Sequence, residues 1–138
     1  MQSGIPRSFQ PPIFFANGPL FFVYALEGQL MTSNRIEKIK AMLADEPTDT
    51  LLRYSLAMEQ EKIGEHEASE AGLRELMADD PPYVPAFFML AQHLTGQERV
   101  NDARTILREG IEIARGQRND HAAGEMSEFL ATLGELGE

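Results

Sequence analysis

The sequence predicts an all-α fold, an antiparallel helix–turn–helix array of about six helices. Three observations predict it. From residue 34 onward, apolar residues recur at the three-to-four spacing of a single helix face. No stretch of that region alternates apolar and polar residues with period two. The breaks between stripes are short and rich in Gly, Pro and Asp, which sets consecutive helices side by side and antiparallel.

Each element has its own signals. Ile36, Ile39, Met42 and Leu43 mark a first helix over 34–44, capped by Asn34 and ended at Pro47. Thr48 or Asp49 offers the next N-cap. Leu52, Leu56, Glu59 and Ile63 make a weaker second stripe, which stops at Gly64. Ala68, Leu73, Leu76 and Met77 form the third, ended by Asp79-Asp80-Pro81-Pro82. Pro85 suits the first turn of the fourth helix, where a missing N–H costs nothing. Phe87, Leu90, Ala91 and Leu94 are its stripe, and Gly96 ends it. Ala103, Ile106, Leu107, Gly110, Ile111 and Ala114 make the clearest stripe. Met126, Phe129, Leu130 and Leu133 make the last, over 119–134.

Composition narrows the function. The chain of 138 residues suffices for one domain with a modest core. Its net charge is −10. Residues 1–30 carry only Arg7 and Glu27, which cancel, so the excess belongs to residues 31–138. So acidic a body repels nucleic acid and anionic membrane surfaces. With no cysteine there are no disulfides, thiol nucleophiles or thiolate metal sites.

The chain matches itself when shifted by about 34 residues. Leu56-Ala57 falls on Leu90-Ala91, and Leu73-Arg74-Glu75 on Leu107-Arg108-Glu109. Phe87-x₂-Leu90-Ala91-x₂-Leu94, then Ala103-x₃-Leu107 and Gly110, resembles the tetratricopeptide (TPR) pattern. The first repeat resembles it less closely: Arg53 and Gln60 replace aromatic residues, while Ser69-x₃-Leu73 and Pro81 fit. The resemblance implies a half repeat at 34–45, repeats at 49–82 and 83–116, and a solvating cap at 119–134. Together these form a domain over 31–138, coiled as a short right-handed superhelix. Leu56, Ala57, Leu73, Leu90, Ala91, Ala103, Leu107 and Gly110 are its expected packing residues.

The resemblance also implies a non-catalytic protein–protein interaction module. Its concave groove would be made by the first helix of each repeat and would bind a peptide or helix. On the face turned from the core, helical spacing places Leu51, Tyr54, Met58, Glu61 and Lys62, then Pro85, Phe88, Gln92 and Thr95. Tyr54 and Phe88, one period apart, should stand side by side as peptide anchors. The competing reading has them packing on neighbouring helices. Lys62 is the one basic residue there, which argues against a clamp for an acidic peptide tail. No catalytic, metal or cofactor site is expected. His66, His93 and His121 lie on different helices, and His93 could meet Glu59, one period away. Glu67, Glu70 and Asp102 read as solvated faces. Arg104, Arg108 and Arg115 do too, with Arg108 pairing Glu112.

Residues 1–30 form an apolar extension that the repeat register does not use. Residues 13–26 are too short for a membrane span, which needs about 20 apolar residues. Met31-Thr32-Ser33-Asn34 reads as a start followed at once by a helix cap. The codons for Glu27-Gly28 supply a purine run like a bacterial ribosome-binding site. The leading expectation is therefore a translated leader before a true start at Met31, with few specific contacts. The others are an export signal or tether, or a piece of the fold, either a strand or hairpin packed on the array or an arm lying in the groove through Phe14, Phe15, Phe21 and Phe22. A cytoplasmic location is expected unless residues 1–30 act as a signal. The remaining functional alternatives are a self-associating scaffold, through the groove or an array end, and an exported or membrane-tethered protein.

Overall fold

The computed structural model describes residues 19–136. Expectations that rest on Phe14 and Phe15, and on the side chains of Phe21 and Phe22, fall outside the described residues. Among the described residues six helices follow one another: α1 (Pro19–Asp45), α2 (Thr50–Lys62), α3 (His66–Met77), α4 (Val84–Gly96), α5 (Val100–Gly116) and α6 (Asp120–Leu136). Consecutive helices pack together through the array, and α4 also touches α6. The stops read at Gly64, Asp79 and Gly96 stand within two residues of the ends of α2, α3 and α4, and α5 begins at Val100, three residues before its stripe.

The first helix does not begin at Asn34. It begins at Pro19 and crosses Met31 without a break. Proline is well placed at a helix start. The expected cap fails because the chain before it is already helical. The Thr32 hydroxyl is absorbed inside the helix, donating to the Gly28 carbonyl at 3.1 Å. Met42 is exposed instead of facing the core, whereas Ile36 is buried.

Helix ends are closed by identifiable devices. Asp49 caps α2 by accepting from the Leu52 N–H at 2.8 Å. Gly64 follows α2 with φ 85°, a left-handed conformation that glycine adopts without strain. Its N–H donates to the Glu61 carbonyl, and the Glu65 N–H donates to Gln60. The same double closure recurs after α4 and α5, through Glu98 (φ 63°) and Arg118 (φ 61°). Glu98 stands one repeat after Gly64.

The core is one cluster running from Ala57 to Leu133. Ala57, Leu73, Leu90, Ala91, Ala103, Leu107 and Gly110 are all buried. Leu56 is only half-buried. Its counterpart Leu90 is enclosed by neighbours on both sides, whereas no described helix precedes α1 to close the end near Leu56. Gly110 permits the closest approach: a Cβ there would stand 2.7 Å from both Phe87 Cβ and Met126 Sδ. Three helices meet at that point because α5 carries no side chain.

Candidate functional site

Helices α2, α4 and α6 enclose a shallow apolar hollow of about 140 Å³. Tyr54, Val84, Pro85, Phe88, Met89 and Met126 form most of its wall, with Asn119, Ala122 and Glu125 at its α6 side. Tyr54 and Phe88 thus border one hollow, one period apart. Each also packs on a neighbour. The Tyr54 ring meets Tyr83 edge-on at 5.4 Å, and Phe88 tilts against Phe129 at 5.7 Å. Burial, then the neighbouring Tyr83, raises the Tyr54 hydroxyl pKa, so it stays a neutral donor at physiological pH.

Of the other expected groove residues, Pro85 also lines the hollow, whereas Leu51, Met58, Glu61, Lys62, Gln92 and Thr95 do not. Leu51 is 64% exposed, Gln92 is exposed and Met58 is half-buried. Lys62 is engaged, donating to Glu59 Oε1 at 2.9 Å, and Arg35 approaches the same oxygen at 3.5 Å. The cation that could have met an acidic ligand is already paired. The part of the hollow that sequence reasoning missed is the α6 wall. Met126 belonged to a recognised stripe, but the helix was read only as a cap.

A polar node joins the end of α2 to the start of α3 and to α4. Glu61, rather than Glu59, is the carboxylate nearest His93. Its Oε2 meets His66 Nδ1 at 2.9 Å, while its Oε1 stands 3.6 Å from His93 Nδ1. That Oε1 and the His93 Nδ1 are buried without a hydrogen-bond partner. One period along the sequence places Glu59 and His93 at equivalent sites. Glu59 instead turns towards α1, and Glu61, on the other side of α2, turns towards α4. Burial lowers the His93 pKa, against the opposing pull of Glu61. His93 is therefore neutral near pH 7. No group of three metal-ligating side chains is assembled among the described residues.

A second cleft, of about 590 Å³, opens where the turns meet, between Thr48, Arg53, Asp79, Tyr83, Gln117 and Asn119. Arg53 forks onto both Asp79 carboxylate oxygens at 2.6 and 3.2 Å, tying α2 to the end of α3. Elsewhere, two expectations about surface charge change. Glu70 is half-buried, bound by Arg74 at 2.8 Å and by Arg99 at 2.8 Å. Glu112 pairs with Arg115 at 3.0 Å rather than with Arg108, and Arg104 donates to the Leu133 carbonyl. No described helix is long and apolar enough to cross a membrane.

No family model matches the chain, and no curated protein matches it. Two solved structures do. A TPR domain protein from Salinibacter ruber is 29% identical, covering 63% of this chain and 88% of its own, with a TM-score of 0.59. A protein from Bordetella parapertussis is 28% identical, covering 72% and 87%, with a TM-score of 0.63. Six helices among the described residues, the middle four in a 34-residue register and similar in sequence and fold to these two bacterial proteins, make this chain a small TPR-like helical repeat protein.

Proposed function

We propose that the chain is a non-catalytic interaction module that takes a short peptide or helix against α2, α4 and α6, anchored by an apolar side chain. The observation that carries this reading is the hollow bordered by Tyr54, Phe88, Met89 and Met126. Aromatic and methionine walls suit an apolar anchor, and methionine adapts to anchors of different shape. Exposed Leu51 and Gln92 extend the contact at its rim. TPR-like folds typically mediate protein interactions and are typically non-catalytic.

The test is selection from a random peptide library against the full chain. Enriched peptides should share a large apolar residue. They should lose at least tenfold in affinity for Phe88→Ala and several-fold for Leu51→Glu. Leu51 is exposed, so its variant leaves the core intact and separates lost binding from lost folding. Peptides that bind both variants unchanged would exclude this face.

A further inference from the structure

Helix α1 is about twice as long as the helix it packs on. Its 27 residues span roughly 40 Å, and the 13 of α2 roughly 20 Å. The antiparallel pair is fixed near Arg35, which reaches Glu59 in the last turn of α2 at 3.5 Å. Residues of α1 before that point overhang the end of α2. Val23, Tyr24, Leu26, Leu30 and Met31 are accordingly 46–63% exposed, while Ile36 is 5% exposed.

Val23, Leu26 and Leu30 stand at the a, d, a spacing of a helix-pairing seam. At 100° per residue the centre of that seam lies about 110° round α1 from Ile36, and its residues stand on the turns that overhang α2. The overhang is also nearly free of charge. Between Pro19 and Asn34 the only charged residue is Glu27, whereas residues 31–138 carry the whole excess of the −10 net charge.

We infer that the overhang pairs with the same overhang of a second copy, antiparallel across a twofold axis. Charge selects both the partner segment and the direction. Two strongly acidic bodies repel wherever their arrays touch, and the neutral overhang is where two copies can meet without that cost. An antiparallel pair sends the bodies to opposite ends, separated by more than the roughly 8 Å Debye length of physiological salt. A parallel pair would set them side by side. The five exposed side chains present on the order of 500 Å² per copy, or about 1,000 Å² in a pair, where specific interfaces begin. The pair should tighten as salt screens the bodies.

Sedimentation equilibrium of the full chain at low and high salt tests this. A monomer–dimer equilibrium is expected, shifted to monomer at least tenfold by Leu26→Glu/Leu30→Glu with helix content and thermal transition unchanged. A chain that stays monomeric at several hundred micromolar, or a dimer that survives the double variant, would overturn the inference. So would monomers that bind neutral lipid vesicles through Leu26 and Leu30. Because the chain has no cysteine, direction can be read by oxidation. Mixed Val23→Cys and Leu30→Cys copies should cross-link to each other. Cross-linking only within each single variant would refute the antiparallel arrangement.

Discussion

The two repeats share a backbone plan and hold it with different chemistry. In the second, Phe87, Leu94, Ala103 and Gly110 are all buried, and the contacts are apolar. In the first, the equivalent positions hold Arg53, Gln60, Ser69 and Leu76. Arg53 forks onto Asp79, and the buried Ser69 hydroxyl donates to the Ala57 carbonyl at 2.7 Å. A polar residue is tolerated in a packing position when its hydrogen bonds are met within the repeat. The difference also follows position in the array. The second repeat is enclosed by α3 and α6, while the first borders the open end at α1.

This contrast predicts unequal damage. Phe87→Ala should cost about 3–5 kcal/mol, the range for a buried aromatic ring. Arg53→Ala, at the equivalent position but partly exposed, should cost about 1 kcal/mol. Urea denaturation of both variants measures the gap, and equal losses would erase the distinction.

Gly110→Ala should come next. The added methyl meets Phe87 and Met126 at 2.7 Å, and overpacking of that kind costs about 1–3 kcal/mol. Gly72→Ala, whose Cβ would meet only Ala57 at 3.6 Å, should not destabilise. A shared response of the two glycines would show that helix propensity rather than packing governs them.

A pH effect should follow from His93. Its folded pKa lies below the unfolded value of about 6.5, because burial disfavours the charged ring. The unfolded chain then binds the proton more readily, so stability is intact above about pH 6.5 and falls as pH drops toward the folded pKa. His66 and Glu61 are the titratable groups facing it. Glu70 acts at lower pH. Burial raises its pKa, but hydrogen bonds from Arg99 and Arg74 outweigh that and hold it below the ordinary value. Its contribution is therefore lost as pH falls below about 4.5. His93→Gln should flatten the decline between pH 6.5 and 5.5 in urea midpoints while leaving the steeper loss near pH 4. An unaltered slope would remove His93 from the acid response.

The smallest effect concerns the turns. Gly64 and Glu98 occupy the same left-handed position in successive repeats, but only Gly64 does so without strain. Glu98→Gly should stabilise by about 0.5–1 kcal/mol, and Gly64→Ala should destabilise by about 1 kcal/mol. Thermal melts would resolve both signs.

Much of the fold was legible because periodicity and turn chemistry are local. Asp49, Gly64 and Pro85 mark boundaries wherever they stand. The start of α1 was not legible, since Asn34 resembles a cap only if the preceding chain is not helical. At that junction the packing changes, from exposed Leu30 and Met31 to buried Ile36. The candidate site was half legible. Tyr54 and Phe88 border the hollow, but Met126 and Ala122 reach it from a helix nearly seventy residues beyond Tyr54. The pairing of His93 with Glu61 rather than Glu59 depends on how α2 is rotated between α1 and α4, which sequence period alone does not specify.

By itself, the sequence determined the all-α class, the 34-residue register, the buried small residues and the segregation of charge away from the first thirty residues. Each of these rests on spacing along one helix or on composition. The tertiary structure alone decided that α6 completes the hollow, that Lys62 is spent on Glu59, and that α1 outruns α2 and leaves its apolar turns bare. Those outcomes depend on the relative lengths and rotations of helices packed against one another.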